Sequence, residues 1–370
     1  MLETLKQSSN AEICKPLMEA VIEKAKEFEQ RFGRKPVFME VCGSHTMALA
    51  RTGVKHCLKD VVNLISGPGC PVCVTDQRSI DAMISLAEGQ NRIICTFGDM
   101  MRVPGSKKTL LDSKISGKDI RVLYSPVDAV KVAQANPEKE VIFLGVGFET
   151  TIPILTLMVG EAEKLGLENF SIWMTTKMVE PVLRYLLDTA EVNLDGFLLP
   201  GHVSIVLGED AYQYLVDEYH ISGVITGFET AEMLAGIYKL IDLSLTGTVA
   251  IENNYPAVVS KRGNPVIHQW LNKYLNECDE AWRGMGVIPK SGLDLKPEYD
   301  KFNAKKRFKV EVGEPRQTKC RCGEVIRGII SPNQCPLFGK ACHPVNPIGP
   351  CMVSAEGSCA AYYQYMRESF

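Results

Sequence analysis

The sequence predicts an α/β fold, with two doubly wound parallel-sheet (Rossmann-like) domains followed by a loop-rich C-terminal domain. Short apolar, β-branched runs alternate with helix-like stretches over residues 35–245, which is typical of parallel sheets covered on both faces. The tetrapeptide Gly-Phe-Glu-Thr occurs at 147–150 and again at 227–230, each time after an apolar run, so we expect two similar units. Near the C-terminus six cysteines lie among many prolines and glycines, which indicates a domain stabilised more by ligands than by a core.

Eight short apolar runs are the predicted strands of the two sheets. Their length and their β-branched composition favour buried strands over helices. In chain order they are 37–41, 61–65, 92–97, 121–124, 141–146, 171–175, 196–199 and 223–226.

The pattern changes beyond residue 245. Apolar residues at helical spacing predict one amphipathic helix over 265–282. Polar residues predict a loop over 290–306, and alternation of polar and apolar residues predicts a strand over 308–312. The predicted domains are 1–135, which includes an N-terminal helical segment, 136–245, and a helical and loop-rich domain over 246–370.

The bulk composition narrows the class of protein. The chain has 370 residues and a formal net charge of −3, so charge gives no argument for nucleic acid or an anionic membrane as partner. We see no secretory signal and no apolar run of about 18 residues, and we therefore expect a cytoplasmic protein. In that reducing compartment, 13 cysteines favour metal binding or thiol redox chemistry over structural disulfides.

Chemically active side chains follow several of the predicted strands. Parallel strands bring their carboxyl ends to one edge of a sheet, where open α/β sheets bind their ligands. We therefore expect a cleft between the two sheets to collect three cysteines, two histidines and two glutamates. These residues are Cys42, His45, Cys70, Cys73, Glu149, His202 and Glu229.

Three of these residues are thiols with two possible roles each. Cys42 stands where a helix should begin, and a helix N-terminus stabilises a thiolate, with His45 placed to exchange a proton. The alternative for Cys42 is a small buried hydrophobic residue. Cys70 and Cys73 form a C-x-x-C with proline inside, which favours a redox dithiol over half of a zinc site.

The remaining cleft residues also leave two interpretations open. His202 is either a site residue or a loop histidine whose hydrogen bonds are satisfied locally. Glu149 and Glu229 either stabilise the starts of helices or point into the cleft. The chain contains neither G-x-x-x-x-G-K-[ST] nor a full G-x-G-x-x-G, so nucleotide binding has no support in the sequence.

The six C-terminal cysteines follow the pattern C-x-C-x12-C-x6-C-x8-C-x7-C. One [4Fe–4S] cluster takes four thiolates and would leave two for a redox disulfide. A structural zinc site also takes four, but the two extra thiols would then need a separate explanation. The six are Cys320, Cys322, Cys335, Cys342, Cys351 and Cys359.

Taken together, the motifs resemble those of the HypD family of hydrogenase maturation factors. The resemblance covers essentially the whole chain. It depends on CGSHT at 42–46, GPGCPVCVT at 67–75, GFETT at 147–151, PGHVS at 200–204 and the cysteine-rich end at 320–363.

The resemblance implies two α/β domains and a third, iron–sulfur domain that holds a [4Fe–4S] cluster. It also implies a redox-active scaffold rather than a classical turnover enzyme. On this scaffold, with a HypC-like small chaperone and a HypE-like cyanide donor, the Fe(CN)2CO unit of [NiFe]-hydrogenase would be assembled. Carried onto this chain, Cys42 would bind that iron, whose CN and CO ligands are transient cargo, and Cys70 and Cys73 would be the dithiol of the cleft.

The resemblance also divides the six C-terminal cysteines, which their spacing alone does not. Four of them would bind the cluster, namely Cys320, Cys335, Cys342 and Cys359. Cys322 and Cys351 would form a second redox pair, and the thiol pairs and the cluster together would relay electrons. Two other classes remain open: a freestanding thiol–disulfide oxidoreductase similar to ferredoxin–thioredoxin reductase, and a zinc-stabilised binding module.

Overall fold

The computed structural model describes residues 10–366, which fold into two parallel sheets, an antiparallel hairpin and flanking helices. The strands are β1 Val37–Glu40, β2 Asn63–Ser66, β3 Arg92–Thr96, β4 Asp119–Val122, β5 Glu140–Gly147, β6 Phe170–Thr176, β7 Gly196–Pro200, β8 Ser222–Thr226, β9 Ile251–Asn253, β10 Leu275–Trp282 and β11 Gly286–Leu295. The helices are α1 Ala11–Phe32, α2 Gly43–Arg51, α3 Val54–Leu58, α4 Pro71–Val74, α5 Gln77–Ala87, α6 Leu110–Ile115, α7 Asp128–Ala135, α8 Ile152–Lys164, α9 Val179–Thr189, α10 Gly201–Leu207, α11 Gln213–Asp217, α12 Thr230–Thr246, α13 Pro265–Tyr274, α14 Ala304–Arg307, α15 Cys322–Ile326 and α16 Ser358–Tyr365. Short 3-10 turns occupy Gly98–Arg102, Asp210–Tyr212, Pro297–Phe302, Pro332–Gln334 and Pro350–Met352.

Both large sheets are entirely parallel, as the sequence predicts for an α/β protein. The first, with five strands, has the order β2-β1-β7-β8-β9, and the second, with four, has the order β4-β3-β5-β6. All eight predicted strands are present, within a few residues of their predicted ends. The sequence did not reveal β9, because its three residues are only half-buried and carry no apolar run.

The two sheets do not divide the chain at residue 135, where the sequence predicts the boundary between the α/β domains. That boundary lies between β4 and β5, which belong to the same sheet. The chain begins the five-stranded sheet with β1 and β2, builds the whole four-stranded sheet, and then returns to pair β7 with β1. The eight predicted strands share an apolar character, so no local signal shows which of the two sheets each one joins.

The region after residue 264 differs most from the prediction. Only the first part of the predicted helix over 265–282 is helical, since α13 ends at Tyr274 and β10 follows directly. The antiparallel partner β11 begins before the predicted loop over 290–306 and fills its first part, and no regular structure covers the predicted strand over 308–312. The polar sequence of β10 did not predict a strand. One of its charged residues, Glu280, is nevertheless buried, where its carboxylate oxygen pairs with the Lys177 nitrogen at 3.1 Å.

The cysteine-rich segment packs into the space between the sheets. One core cluster contains residues of both sheets together with Cys70, Cys73, Cys351 and Cys359. The predicted N-terminal helical segment is α1, whose buried Phe28 packs with α12 against the outer face of the five-stranded sheet. Within residues 10–366, no helix combines the length and the apolar character needed to cross a membrane.

Candidate thiol and metal site

Cys42 is the residue that precedes α2, two residues after the end of strand β1. Its thiol is half-buried, and the backbone N–H groups of Ser44 and His45 at the start of α2 favour the thiolate form. Burial, and then the negative charge of Glu356, nevertheless raise the pKa of the Cys42 thiol to about 11. The helix start therefore does not by itself produce a thiolate, which would need a cation such as a bound metal ion beside it.

His45 is held in place rather than free to exchange protons. It is fully buried, with Nε2 at 2.9 Å from the carbonyl oxygen of Gly227, and its ring stacks on Phe228 at 4.6 Å between centroids. Burial lowers the pKa of His45 to about 4, so the ring is neutral and Nε2 donates to the carbonyl. His202 stacks on the same Phe228 at 4.0 Å, so Phe228 joins both predicted histidines at one sheet edge.

The loop that contains Cys70 and Cys73 lies directly against Cys42. A Cβ atom on Gly69 would stand 2.4 Å from the Cα of Cys42, so only glycine permits this approach. The amide of Gly43 donates to the carbonyl of Gly69 at 3.3 Å. Cys70 and Cys73 are both buried and form a disulfide with Cα atoms 5.2 Å apart. The structure thus brings the C-x-x-C and the predicted iron ligand together.

The two predicted glutamates differ in environment. Glu229 precedes α12 and forms a reciprocal capping box with Glu232, which is the helix-start role that the sequence also allowed. Glu149 follows β5 in the other sheet, where its Oε1 accepts from the backbone N–H of Val179 at 2.8 Å. Burial raises the pKa of Glu149 to about 7. The repeated tetrapeptide therefore does not place two equivalent carboxylates in one cleft.

Glu356 is a residue beside Cys42 that the sequence did not reveal. Its Oε1 accepts from the Ser44 hydroxyl at 2.8 Å, and a Cβ on Gly43 would stand 2.5 Å from the Cβ of Glu356. The segment that carries Glu356 is anchored by Asp99, which accepts from the Ser354 hydroxyl and from the next backbone N–H, both at 3.0 Å. No local pattern marks a single glutamate that reaches its partner across 312 positions.

A buried ion pair below Cys42 was also missed. Lys55 pairs with Glu40 of β1, and the same carboxylate oxygen accepts from Ser66 at 3.0 Å and from Thr46 of α2 at 3.4 Å. The Lys55 ammonium also lies 5.3 Å from the centroid of the Tyr362 ring in α16. The network therefore connects the helix that follows Cys42 with the helix that carries Cys359.

All six C-terminal cysteines line one small cavity with an apolar remainder. Five of them are buried, and Cys320 is half-buried. Backbone amides already point at two of the sulfurs, since Ile348 N–H donates to Cys342 Sγ and Cys359 N–H to Cys351 Sγ, both at 3.3 Å. The cavity is lined by Cys320, Cys322, Val325, Cys335, Phe338, Cys342, Gly349, Cys351, Met352 and Cys359.

The donor set of this cavity is compatible with a [4Fe–4S] cluster, because six thiols include the four thiolates that such a cluster takes. Among residues 10–366, no three histidine, cysteine or acidic side chains are found already gathered around one metal position. A [4Fe–4S] cluster binds each thiolate at a different iron, so its ligands stand around the cluster as these cysteines stand around the cavity.

Cys351 connects the two thiol sites. Besides the six-cysteine cavity, it lines a second small cavity together with Cys70, Cys73 and Glu356. Its sulfur accepts from the backbone N–H of Cys359 at 3.3 Å. Cys351 therefore lies between the six-cysteine cavity and the disulfide beside Cys42.

These features define a class: an α/β protein in which a half-buried cysteine, a buried disulfide and a thiol-lined cavity suited to a metal cluster lie side by side. Comparison with known proteins gives matches along nearly the whole chain. The family model for HypD, described as a hydrogenase formation family, matches residues 14–366. The chain belongs to this family, and it is a hydrogenase maturation factor.

The most similar relatives cover nearly the whole chain. The hydrogenase maturation factor HypD of Escherichia coli is 41% identical over 357 residues, which is 95% of each chain. HypD of Rhodobacter capsulatus is 41% identical over 338 residues, or 90% of each chain. HypD of Cupriavidus necator is 39% identical over 348 residues, or 92% of each chain. Full-length similarity at this level supports the same architecture from α1 to α16.

Proposed function

We propose that this chain is the scaffold on which the Fe(CN)2CO unit of [NiFe]-hydrogenase is assembled, in a complex with a HypC-like small chaperone. A HypE-like protein would deliver the cyanide. The observation that carries the proposal is the adjacency of Cys42, the Cys70–Cys73 disulfide and the six-cysteine cavity. A scaffold needs a metal ligand and a source of electrons in one place, and this arrangement provides both within a cytoplasmic protein.

In this proposal Cys42 binds the iron cargo and shares it with a cysteine of the HypC-like partner. A soft thiolate suits low-valent iron, and the positive metal supplies the charge that the buried thiol needs to lose its proton. The backbone N–H groups of Ser44 and His45 at the start of α2 would favour the thiolate form. The disulfide loop and Glu356 shield one side of it from water.

Four cysteines, Cys320, Cys335, Cys342 and Cys359, are the proposed ligands of a [4Fe–4S] cluster, which when bound supplies single electrons. Cys322 and Cys351 remain as a dithiol. By thiol–disulfide exchange, this dithiol gives two electrons and two protons to the Cys70–Cys73 disulfide. The product is a Cys322–Cys351 disulfide and two free thiols at Cys70 and Cys73. The position of Cys351 in both cavities supports this route.

Infrared spectroscopy of the full chain, purified with its HypC-like partner, tests the proposal. We expect CO and CN stretching bands together with the visible absorption of iron–sulfur bonds. Cys42→Ala should lose the CO and CN bands and keep the iron–sulfur absorption, whereas Cys57→Ala, which removes an exposed cysteine, should keep both. Persistence of the bands in Cys42→Ala would contradict the assigned iron ligand.

The same measurement separates the alternative classes. Iron–sulfur absorption without CO and CN bands, together with reduction of added disulfides, would favour a freestanding thiol–disulfide oxidoreductase. Bound zinc without visible absorption would favour a zinc-stabilised binding module.

A further inference from the structure

Arg283 joins the disulfide segment to the six-cysteine segment, yet it belongs to neither. It stands in the turn between β10 and β11. Its backbone N–H donates to the carbonyl of Val74 at 2.8 Å, and its Nε donates to the carbonyl of Thr75 at 2.9 Å. Its Nη1 donates to Gln77 at 3.2 Å. The guanidinium is thus held at the end of the helix that begins with Cys70.

The other side of the same turn contacts the cysteine-rich segment. Gly284, with φ of 75°, packs so closely on Gly323 that a Cβ atom on Gly284 would stand 2.5 Å from the Cα of Gly323. Gly323 directly follows Cys322. The turn is therefore wedged between the segment of the disulfide and the segment of the first two C-terminal cysteines.

One nitrogen of the Arg283 guanidinium, Nη2, is buried and has no hydrogen-bond partner among the described residues. Arg283 directly precedes Gly284, whose contact partner Gly323 follows the cavity residue Cys322, so the turn places this buried guanidinium next to a wall segment of the six-cysteine cavity. A guanidinium stays charged at every accessible pH, so this charge is permanent.

We propose that Arg283 is a positioning residue that raises the reduction potential of the metal cluster held by the six-cysteine cavity. The inference rests on the proposed function. One-electron reduction adds one negative charge to a cluster that four thiolates already make anionic, and a fixed cation nearby favours the more negative state. Arg283 is suited to this role because its hydrogen bonds hold its charge in place without neutralising it.

The experiment is a redox titration of the full-length protein, followed by electron paramagnetic resonance, with iron content measured in parallel. For Arg283→Gln we expect the equilibrium constant for reduction of the cluster to fall at least tenfold. For a one-electron step, this makes the reduction potential about 59 mV more negative. Arg283→Lys keeps the positive charge, so its reduction potential should be much closer to that of the unchanged protein. An unaltered potential in Arg283→Gln, with full iron content, would overturn the inference.

Arg321 is the matched control. It lies between Cys320 and Cys322 in the sequence, but its Nε donates to a carboxylate oxygen of Glu324 at 2.8 Å and its side chain is 40% exposed. Because solvent and Glu324 screen this charge, Arg321→Gln should leave the potential unchanged. An equal shift in both variants would overturn a specific role for Arg283.

Loss of iron from the variants is also informative. If Arg283→Gln binds too little iron to titrate, Arg283→Met provides a second neutral side chain. Failure of both neutral variants to bind iron, with success of Arg283→Lys, would support a requirement for the charge. Failure of all three would overturn the inference and leave only a structural role. A starting protein that binds no cluster would contradict the proposed function itself, whereas a normal cluster with an unchanged potential contradicts this inference alone.

Discussion

The surroundings of Cys42 and the six-cysteine segment hold their thiols in different ways. Around Cys42, the nearby loops follow β1 and β2, whose positions are set by backbone pairing in one sheet, and Glu356 adds a contact from the C-terminal segment. The six cysteines occupy residues 320–359, where regular structure is limited to one short helix, the start of α16 and two 3-10 turns. The first site is thus supported by a sheet, and the second mainly by what its cysteines bind.

This contrast has an energetic consequence. The Cys42 site is supported from below by the buried Lys55–Glu40 pair and needs no ligand to keep its shape. The six-cysteine cavity concentrates buried thiols, and burial raises the pKa of such a thiol, as at Cys342. Metal binding removes those protons and holds the loops together, so the folding stability of the six-cysteine segment should depend on its metal content. At Cys42, folding stability should not depend on whether iron is bound.

The largest expected effect is on the six-cysteine segment. Cys335→Ala or Cys342→Ala should strip most of the cluster iron and make residues 314–366 sensitive to protease, because the loops lose their common ligand. Limited proteolysis with mass spectrometry and an iron assay would measure both. Cys57→Ala is the control, since it removes an exposed cysteine that does not line the cavity. Unchanged iron in the cavity variants would contradict their assignment as ligands.

A smaller effect is expected below Cys42. Lys55→Met leaves the Glu40 carboxylate buried without its partner and should lower the free energy of unfolding by about 3–5 kcal/mol in urea denaturation. Adding Glu40→Gln removes the unpaired charge and should restore much of the loss. Lys131→Met, which breaks an exposed pair with Asp128, should change stability very little. Equal losses in the Lys55 and Lys131 variants would show that the buried pair has no special role.

Glu149 provides a test that depends on pH. Burial raises the pKa of Glu149 in the folded chain to about 7, above the value of 4.5 for an exposed glutamate. Below about pH 4.5 both states hold the proton, but as the pH rises towards 7 the unfolded chain releases it first. Folding stability attributable to Glu149 therefore falls over this window, by about 3 kcal/mol at 1.36 kcal/mol per pH unit.

Glu149→Gln should remove that dependence. At pH 8 the variant should be more stable than the unchanged protein by about 3 kcal/mol, and near pH 4.5 the two should be similar. Urea denaturation at several pH values measures the difference. A difference that stays constant with pH would show that Glu149 does not titrate in this range.

The smallest expected effect on the protein itself concerns the dithiol that links the two regions. Cys322→Ser should leave the iron content and the magnetic resonance spectrum of the cluster unchanged, because Cys322 is not a proposed ligand. Hydrogenase maturation should nevertheless fail, since the dithiol can no longer reduce the Cys70–Cys73 disulfide. Loss of the cluster in this variant would show that the six cysteines are divided differently between ligands and redox pair.

The sequence predicted more of the strands than of their arrangement. The apolar runs of β1 to β8 are local features, and all eight lie where their composition indicates. The hairpin of β10 and β11 was predicted as the end of a helix and the start of a loop. Glu280 is a buried strand residue there, stabilised by Lys177, which follows a strand of another sheet. Buried charged residues break the polar and apolar alternation on which such predictions depend.

The candidate site shows the same limit. Cys42, Cys70, Cys73 and the six C-terminal cysteines are visible in the sequence because cysteine is chemically distinctive and these lie in dense motifs. Glu356 and Arg283 carry no such signal, since a single glutamate or arginine is ordinary on any surface. Their positions beside the thiols depend on contacts made across more than 200 positions of the chain.

The α/β class, the positions of β1 to β8, the thiol motifs and the family are all evident from the sequence alone. Helical periodicity, apolar runs and motif spacing are properties of neighbouring residues, so they can be read without coordinates. Only the tertiary structure decided that β7 returns to pair with β1, that Glu356 and the disulfide adjoin Cys42, and that six cysteines share one cavity. Strand pairing and burial depend on the sum of many weak contacts between distant residues, and no local pattern encodes that sum.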